Sequence, residues 1–232
     1  MSRHEQLEAG LVAVRARIDA GCRAAGRDPG EVGLVVVTKY FPASDVRLLA
    51  ELGVTDVGEN KHQEAQAKAA ECADLGLSWH FIGGLQSNKA AAVAGYADVV
   101  ESVDRLKLVT GLDRGAGERG AVVDCLVQVS LDAPGAAGRS GADPVDVPAL
   151  AEAIARAEHL NLAGVMAVAP LAEPALPAFE RLAAIAARLR SDHPQARTVS
   201  AGMSGDLEEA IACGATRLRI GSSVLGPRPS IQ

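Results

Sequence analysis

Aromatic side chains are scarce in this chain of 232 residues: Phe, Trp and Tyr make up 3% of it, so aliphatic side chains and alanine must supply most of the packing. Cysteines are few and scattered, at Cys22, Cys72, Cys125 and Cys213, with no C-x-x-C pair and no zinc-ligand spacing to a histidine. We therefore expect reduced, packed thiols and no metal site.

A long uncharged segment near the start is also missing. The first stretch, 1–20, carries charges throughout, which disfavours a signal peptide or a membrane-spanning helix there. Apolar residues recur in it at helical spacing and predict an amphipathic first helix: Leu7, Leu11, Val14 and Ile18. We expect a cytoplasmic protein with no membrane partner.

An excess of positive charge is absent as well. The 23 basic and 29 acidic residues give a net charge of −6, which argues against a general nucleic-acid surface but allows a local basic pocket for a small anion. With 48% hydrophobic and 22% charged residues, the composition is that of a soluble globular protein with a sizeable core.

What the chain does contain is an alternation of short β-branched runs with longer, alanine-rich stretches of helical period. The predicted strands are 33–39, 56–59, 79–83, 98–102, 121–130, 162–168, 198–202 and 216–221. The predicted helices between them are 43–52, 60–74, 87–95, 104–118, 145–158, 175–191 and 206–213. Such alternation demands parallel pairing with right-handed crossovers.

Two α/β architectures fit this pattern, a closed (β/α)8 barrel of the TIM type and a doubly wound open sheet. The count of eight favours the barrel, and no G-x-G-x-x-G follows the first strand. No linker divides the composition, so 1–232 is expected to form a single domain, with an extra N-terminal helix in 1–26 and the barrel core in 33–221. The glycine- and proline-rich segment 130–146 predicts a long loop over one rim.

In a barrel, functional groups gather where strands end at the C-terminal face. Lys39 ends the apolar run GLVVVTK, either as a solvated strand end or as a pocket lysine whose neutral amine can form a Schiff base. Asn60 follows the second strand, where it could cap the next helix or hydrogen-bond a ligand, and the neighbouring Glu59 could be an ion-pair partner. For His80 the pattern indicates only a core histidine with one hydrogen bond.

The last two strands are followed by small residues and hydroxyls, which close contact with a phosphate requires. They are Met203, Ser204 and Gly205 after the seventh strand, and Gly221 and Ser222 after the eighth.

Within the eighth strand, Arg217 and Arg219 alternate with apolar residues and should share the interior face, paired either with carboxylates or with a ligand. A strand-end lysine, an interior arginine and a phosphate rim together indicate a phosphorylated carbonyl compound bound through an imine. Pyridoxal 5′-phosphate (PLP) satisfies all three features, and the substrate of a sugar-phosphate Schiff-base aldolase would satisfy two.

Seven strings occur in the order found in a known family and span roughly 30–228: VTKYFP, GENKHQE, WHFIGGLQSNK, SVDR, GRSGADP, GVMAVAP and GMSGDLEEAIACGATRLRIGSSVLGPR. Through them the chain resembles the pyridoxal-phosphate homeostasis protein family (the YggS/PROSC type), whose barrel is shared with the N-terminal domain of alanine racemase, the PLP fold type III barrel.

The resemblance implies roles for particular residues. Lys39 would hold PLP as a Schiff base, Asn60 would lie beside the ring, and Arg219 would face the pyridine nitrogen. The phosphate would be held by Ser204, Gly205, Gly221 and Ser222. An arginine at that nitrogen disfavours its protonation, which makes the ring a weaker electron sink than an aspartate-paired one.

The chain departs from the family pattern at four positions. Gly84 stands where histidine or another larger residue is frequent, and Arg139 where lysine is usual. Ala201 replaces a common methionine, and Leu218 a common valine. The first two lie at the expected rim, so ligand or partner contacts there could differ from those of the family.

Two functions remain open on this reasoning. The first is a non-catalytic PLP carrier or buffer in intracellular vitamin B6 homeostasis, expected to be monomeric, with PLP-dependent apo-enzymes as conceivable partners. The second is a racemase-like PLP enzyme. The racemases add a C-terminal β-domain with an acid/base tyrosine, and with eleven residues after Gly221 we expect no such domain here. Strand alternation would point Tyr40 away from the face of Lys39, so no second base is expected.

Overall fold

Eight parallel strands close into a barrel in chain order in this computed structural model, which describes residues 1–132, 140–171 and 173–228. The strands are β1 (Gly33–Val37), β2 (Asp56–Glu59), β3 (Ser78–Phe81), β4 (Val99–Val103), β5 (Val123–Gln128), β6 (Leu160–Met166), β7 (Thr198–Ser200) and β8 (Arg217–Ile220). Closure is made by β1 and β8, which pair in register from Gly33 with Arg217 to Val36 with Ile220. The predicted (β/α)8 barrel is confirmed.

Helices surround the barrel, and α1 precedes it as predicted. The α-helices within the described ranges are α1 (Arg3–Ala24), α2 (Ala43–Glu51), α3 (His62–Glu71), α4 (Ala90–Ala94), α5 (Leu106–Arg119), α6 (Val147–Ala155), α7 (Ala175–Asp192), α8 (Leu207–Ala212) and α9 (Ser222–Leu225). A capping box starts α1: the Ser2 hydroxyl accepts from the Glu5 N–H, and the Glu5 carboxylate accepts from the Ser2 N–H. Its predicted apolar stripe is buried.

The structure differs from the prediction mainly at element ends. The first strand stops at Val37, two residues before Lys39, and the predicted helix 87–95 opens as a 3-10 turn, Ser87–Lys89. Helix α9 was not predicted, because four residues are too few to show a helical period. Of the predicted loop 130–146, residues 133–139 lie outside the described residues, and the remainder includes a bridge from Val129 to Ala142.

The apolar core lies mostly between the strands and the surrounding helices. Inside the barrel a much smaller apolar cluster forms from Leu126, Ala163 and Met166. The interior also holds buried polar side chains, since Ser200 of β7 hydrogen-bonds Glu101 of β4, a strand that is not its neighbour. This polar interior connects the two ends of the barrel and becomes important for the site.

Candidate functional site

A cavity of about 280 Å³ opens at the C-terminal end of the barrel. It is lined by Val37, Lys39, Tyr40, Phe41, Ile82, Met203, Ser204, Gly205, Arg219, Gly221, Ser222, Gly226 and Arg228. Seven of the eight predicted ligand-binding residues are therefore brought together, although they come from distant parts of the chain. Larger cavities of about 380 and 570 Å³ lie at the N-terminal end of the barrel and beside α1. The smaller cavity is the candidate site, because barrels of this type carry their functional groups at the C-terminal face.

Lys39 lies in a turn rather than in a strand, which corrects the sequence interpretation. The Thr38 N–H continues the pairing with the Gly58 carbonyl, and the chain then turns so that the Phe41 N–H returns to the Thr38 carbonyl. Tyr40 adopts a left-handed φ of 73°, which is strained for a residue with a side chain. The prediction that Tyr40 points away from Lys39 is therefore wrong, because strand alternation ends at Val37.

The turn is anchored from beneath by a buried lysine of α3. Lys68 donates to the Thr38 carbonyl at 2.8 Å and to the carboxylates of Glu59 and Glu64 at 2.7 Å each. Glu64 also accepts from the Tyr40 N–H at 2.6 Å. The backbone is therefore held on both sides of Lys39. The predicted ion-pair role of Glu59 is confirmed.

Three cations gather around the ring of Tyr40 at the cavity rim. The Nζ atoms of Lys39 and Lys61 lie 6.0 and 5.6 Å from the ring centroid, and the guanidinium carbon of Arg228 lies 4.9 Å from it. Among the residues that the structure describes, no carboxylate forms an ion pair with any of the three. The rim is thus locally positive although the whole chain is negative, as a site for an anionic ligand requires.

The loops after β7 and β8 meet at the same side of the cavity. The hydroxyl oxygens of Ser204 and Ser222 lie 3.3 Å apart. Within the described part of the chain, the backbone N–H groups of Ser204 and Gly205 make no hydrogen bond to another backbone group. Met203 is fixed by its N–H to the Asp206 carboxylate at 2.6 Å, and Arg17 of α1 holds the Ser204 carbonyl at 2.9 Å. Two hydroxyls and two free amides provide donors suited to a phosphate.

Two glycines give this corner its space. A Cβ added at Gly205 would have no heavy atom within 4 Å, whereas one at Gly221 would meet the Val37 carbonyl oxygen at 3.2 Å. Because Gly221 has no side chain, the ends of β8 and β1 can approach each other closely at the cavity wall. Gly205 leaves open space beside its own backbone. The result is a cradle of small residues with open space beside the free amides.

Arg219 forms the buried floor of the cavity with 4% of its surface exposed. Its Nη1 donates to the Ser200 hydroxyl at 2.6 Å and its Nη2 to the Ala167 carbonyl at 2.8 Å, while Glu101 lies 3.8 Å away. Burial lowers the pKa of Arg219, and Glu101 opposes that shift. The alternative that the interior arginines pair with carboxylates thus holds for Arg219. Arg217 lines the cavity at the opposite end of the barrel.

Asn60 is the predicted site residue that does not line the cavity. It does not cap α3 either, since the N-cap is Lys61. A Cβ at Gly83 would come within 2.0 Å of the Asn60 carbonyl oxygen, so glycine at that position allows the ends of β2 and β3 to approach. Asn60 is half-buried, and its predicted place beside a ring stays a prediction.

Sequence reasoning missed Glu101 and gave His80 only the role of a core histidine with one hydrogen bond, yet both are interior residues connected to this floor. His80 makes two side-chain hydrogen bonds to carboxylates rather than one, to Glu101 at 2.8 Å and to Asp56 at 2.9 Å. The available signal was Glu101 itself, a carboxylate in the middle of the valine-rich strand VVESV, where it is fully buried.

The four departures from the family pattern have different structural settings. A Cβ at Gly84 would lie 3.1 Å from the Ser140 hydroxyl, so the glycine makes room for the end of the loop that precedes α6. Ala201 and Leu218 are buried in the core outside the barrel, where their changes are packing changes. Arg139 lies outside the described residues.

Two further observations concern metal ligands and membrane-spanning helices. No cluster of three or more potential metal ligands occurs among the residues with described positions. None of the helices in those ranges combines the length and apolar character needed to cross a membrane.

Comparison with known proteins identifies relatives over nearly the whole chain. Residues 13–229 match the family model for the N-terminal domain of alanine racemase. Pyridoxal phosphate homeostasis proteins of Pseudomonas aeruginosa and Mycobacterium bovis are 44% and 42% identical, over 94% and 97% of this chain and 94% of each relative. The corresponding protein of Escherichia coli K12 is 35% identical over 94% of this chain and 95% of its own.

Solved structures agree with these matches. PipY of Synechococcus elongatus, solved with PLP bound, superposes with a TM-score of 0.82 at 34% identity, covering 95% of this chain and all of that one. Alanine racemase of Corynebacterium glutamicum, at 16% identity and a TM-score of 0.66, shares the fold, and this chain covers 63% of its length. The cavity, its cradle of small residues and these matches over nearly the full length agree, and the chain belongs to the pyridoxal phosphate homeostasis protein family.

Proposed function

We propose that this chain binds PLP as a Schiff base on Lys39 and acts in PLP homeostasis as a carrier or buffer. The observation that carries the proposal is one cavity in which Lys39 shares walls with the Ser204–Gly205 cradle and with Arg219. PipY, a relative at 34% identity, was solved with PLP bound, which supports the same ligand here. We further propose that 1–232 forms one PLP-binding domain.

The residues present fit such a ligand. The volume of about 280 Å³ is close to the lower end, about 300 Å³, of small-molecule sites. The open space at Gly205 lies beside the free amides and the hydroxyls of Ser204 and Ser222, which would hold the phosphate with Met203 and Gly221 as the remaining walls. Arg219 would stand at the ring, and Asn60 would approach it from the end of β2.

Bound PLP supplies an aldehyde that condenses with amines and a ring that can act as an electron sink. Lys39 would provide the amine, and the anchor formed by Lys68 and Glu64 fixes the backbone on each side of it. Arg219 stays buried and cationic, and it would disfavour protonation of the ring nitrogen, which weakens the sink. Lys39 is half-buried and Ser222 is exposed, so the site is open enough for loading and release.

Absorption spectroscopy with a matched lysine control tests this function. Purified protein mixed with PLP should gain the visible absorption of a Schiff base, and borohydride should fix the label on the peptide containing Lys39. The Lys39→Ala variant should gain neither, while Lys107→Ala, which removes an exposed lysine of α5, should behave as the wild type. A colourless wild type, or a label on another lysine, would refute the proposal.

A racemase-like PLP enzyme is the second candidate, and one observation favours it. Tyr40 lines the cavity beside Lys39 and supplies the second ionisable group that the sequence interpretation did not find. Racemisation needs proton transfer on both faces of the reacting carbon, so both groups would be required. Steady-state assays on a panel of L- and D-amino acids should show no robust turnover in the carrier; turnover lost in both Lys39→Ala and Tyr40→Phe would establish the enzyme instead.

A further inference from the structure

A network of polar side chains, all buried except the half-buried Asp56, runs through the barrel interior from the cavity floor toward its N-terminal end. Arg219 donates to the Ser200 hydroxyl at 2.6 Å, and Ser200 donates to Glu101 at 2.5 Å. The other oxygen of Glu101 lies 2.8 Å from Nδ1 of His80, whose Nε2 lies 2.9 Å from Asp56. The members come from five strands, β2, β3, β4, β7 and β8, so the network is a feature of the closed barrel rather than of one loop.

The number of donors and acceptors on each side chain of this network determines where the protons lie. Ser200 has one hydroxyl proton, and because its oxygen receives the Arg219 N–H, that proton goes to Glu101. Glu101 therefore accepts at one oxygen and also faces the Arg219 guanidinium at 3.8 Å, which favours its ionised form. At the far end Asp56 accepts from the Thr55 hydroxyl at 2.6 Å as well as facing His80.

An imidazole between two ionised carboxylates must donate at both nitrogens. Burial opposes the charged form of His80, but the hydrogen bonds to Asp56 and Glu101 outweigh it and raise the pKa of the ring. For Glu101, burial would raise the pKa, and the contacts with His80, Arg219 and Ser200 together hold it below its usual range. Asp56 shows the same direction: its hydrogen bond from His80 lowers its pKa.

The charges that face His80 come from three strands. The carboxylates are Asp56 of β2 and Glu101 of β4, and the nearby cation is Arg217 of β8, which opposes protonation of the ring. The sequence of charges along the barrel is then anion, cation, anion and cation, ending at Arg219. Such alternation offsets the cost of burying each charge, and removal of one member leaves its neighbour uncompensated.

We propose that His80 and Glu101 are positioning residues for Arg219: His80, as an imidazolium, keeps Glu101 an anion, and Glu101 through Ser200 keeps Arg219 fixed and charged at the cavity floor. The consequence for the ligand rests on the proposed function, in which Arg219 faces the ring of PLP. Glu101 is fully buried in β4, whose other residues are three valines and Ser102, so it is the one charged residue of that strand. We ascribe this buried carboxylate to its effect on the position and charge of Arg219.

The charge state of His80 can be measured without PLP. In 15N-histidine-labelled apo protein, the resonances assigned by their loss in His80→Gln should show both ring nitrogens protonated at about pH 7.5, above the ordinary histidine value of about 6.5. In Glu101→Gln the ring should lose this second proton at lower pH, a downward shift of about one unit or more. A neutral ring tautomer for His80 in the wild type would overturn the proposal.

The effect on the cavity is measured by a pH titration of the visible absorption of bound PLP, whose midpoint is the pH at which half of the change has occurred. Glu101→Gln keeps the shape but removes the anion nearest Arg219. His80, which also loses its proton more easily in this variant, contacts position 101 on the side away from Ser200 and Arg219, so the charge at the cavity floor still becomes more positive and the midpoint should fall by about one unit. Glu101→Asp keeps the charge and should stay closer to the wild type. The control Glu152→Gln removes a half-exposed carboxylate paired with Arg156 on the surface and should not move the midpoint.

The outcomes distinguish a failure of the proposed PLP-binding function from a failure of the positioning role of His80 and Glu101. A wild type that takes up no PLP would refute the proposed function, and the apo measurement would still decide the charge state of His80. Equal shifts in the Gln and Asp variants would show that position 101 acts through packing alone and would overturn the positioning role. Should Glu101→Gln fail to fold, Ser200→Ala takes its place: it removes the hydroxyl that links Glu101 to Arg219 without changing a charge, and a midpoint equal to that of the wild type would overturn the positioning role.

Discussion

Replacing Lys68 with methionine should destabilise the protein far more than a single substitution on α3 would normally do. Lys68 is 7% exposed and Glu59 is 1% exposed, so the change leaves a carboxylate buried without its cation. Breaking a buried ion pair in this way costs about 3–5 kcal/mol of the free energy of unfolding. The Thr38 carbonyl loses one of its two donors in the same variant and keeps only the Phe41 N–H, which loosens the turn that carries Lys39.

The pH dependence of that loss follows from Glu59. Burial raises the pKa of Glu59 despite its hydrogen bonds from Lys68 and Thr38. A carboxylate whose folded pKa lies above its unfolded value binds its proton more tightly in the folded state, so stability falls as pH rises through that interval. Without Lys68 the interval widens, and the loss should be smaller at about pH 5 than at about pH 8.

Urea unfolding of Lys68→Met, measured beside Lys107→Met at both pH values, tests this reasoning. The control removes an exposed lysine of α5 and should change the free energy of unfolding by less than about 0.5 kcal/mol. The double variant Lys68→Met/Glu59→Gln should recover much of the stability because no fully buried charge then lacks its partner; the partly exposed Glu64 keeps its hydrogen bond from the Tyr40 N–H. A loss below about 1 kcal/mol in Lys68→Met, or a loss that grows toward acid, would refute the assignment.

Three further outcomes follow from the same geometry. Gly205→Ala should leave the free energy of unfolding within about 1 kcal/mol of the wild type, because its Cβ meets open space, yet weaken PLP uptake in an absorbance titration; unchanged uptake would contradict the cradle. Gly164→Ala should prevent normal folding, seen by circular dichroism, since its φ is 153° and its Cβ would lie 1.9 Å from the Thr198 carbonyl oxygen. Because the folded pKa values of Asp56 and Glu101 are lowered, their contribution to stability is present above the unfolded values of about 4 and is lost as pH falls below them, so acid unfolding of the wild type should be steeper than that of a Glu101→Gln variant.

The parts of this site that could be predicted are those that depend on chain order. Eight alternating strand and helix patterns place every βα-loop at one end, so Lys39 and the loops that carry Ser204 and Ser222 were expected to meet without any knowledge of contacts. Their small residues and hydroxyls are local features that a phosphate cradle requires. Strand positions were accurate for the same reason, since β-branched runs are local signals.

The parts that could not be predicted depend on where a strand ends and on what meets across the barrel. The sequence interpretation assumed that side chains alternate between the two faces of the strand for two residues past Val37, up to Lys39. This single error reversed the side on which the Tyr40 side chain was expected. Whether a buried carboxylate such as Glu101 meets a histidine, an arginine or a ligand depends on the shear of the closed barrel, which no local pattern encodes.

Stability alone does not account for the two buried ionic networks. Apolar side chains of similar volume are often at least as stable as a buried ion pair, and the interior already contains a small cluster of that kind at Leu126 and Met166. Both networks instead end on parts of the cavity: one on the backbone around Lys39, the other on Arg219. We infer that they are retained because charge-assisted hydrogen bonds define position more narrowly than apolar packing does. Lys68→Met/Glu59→Gln separates the two contributions, since it should regain stability while PLP uptake stays weaker than in the wild type; uptake fully restored with stability would show that the network serves the fold alone.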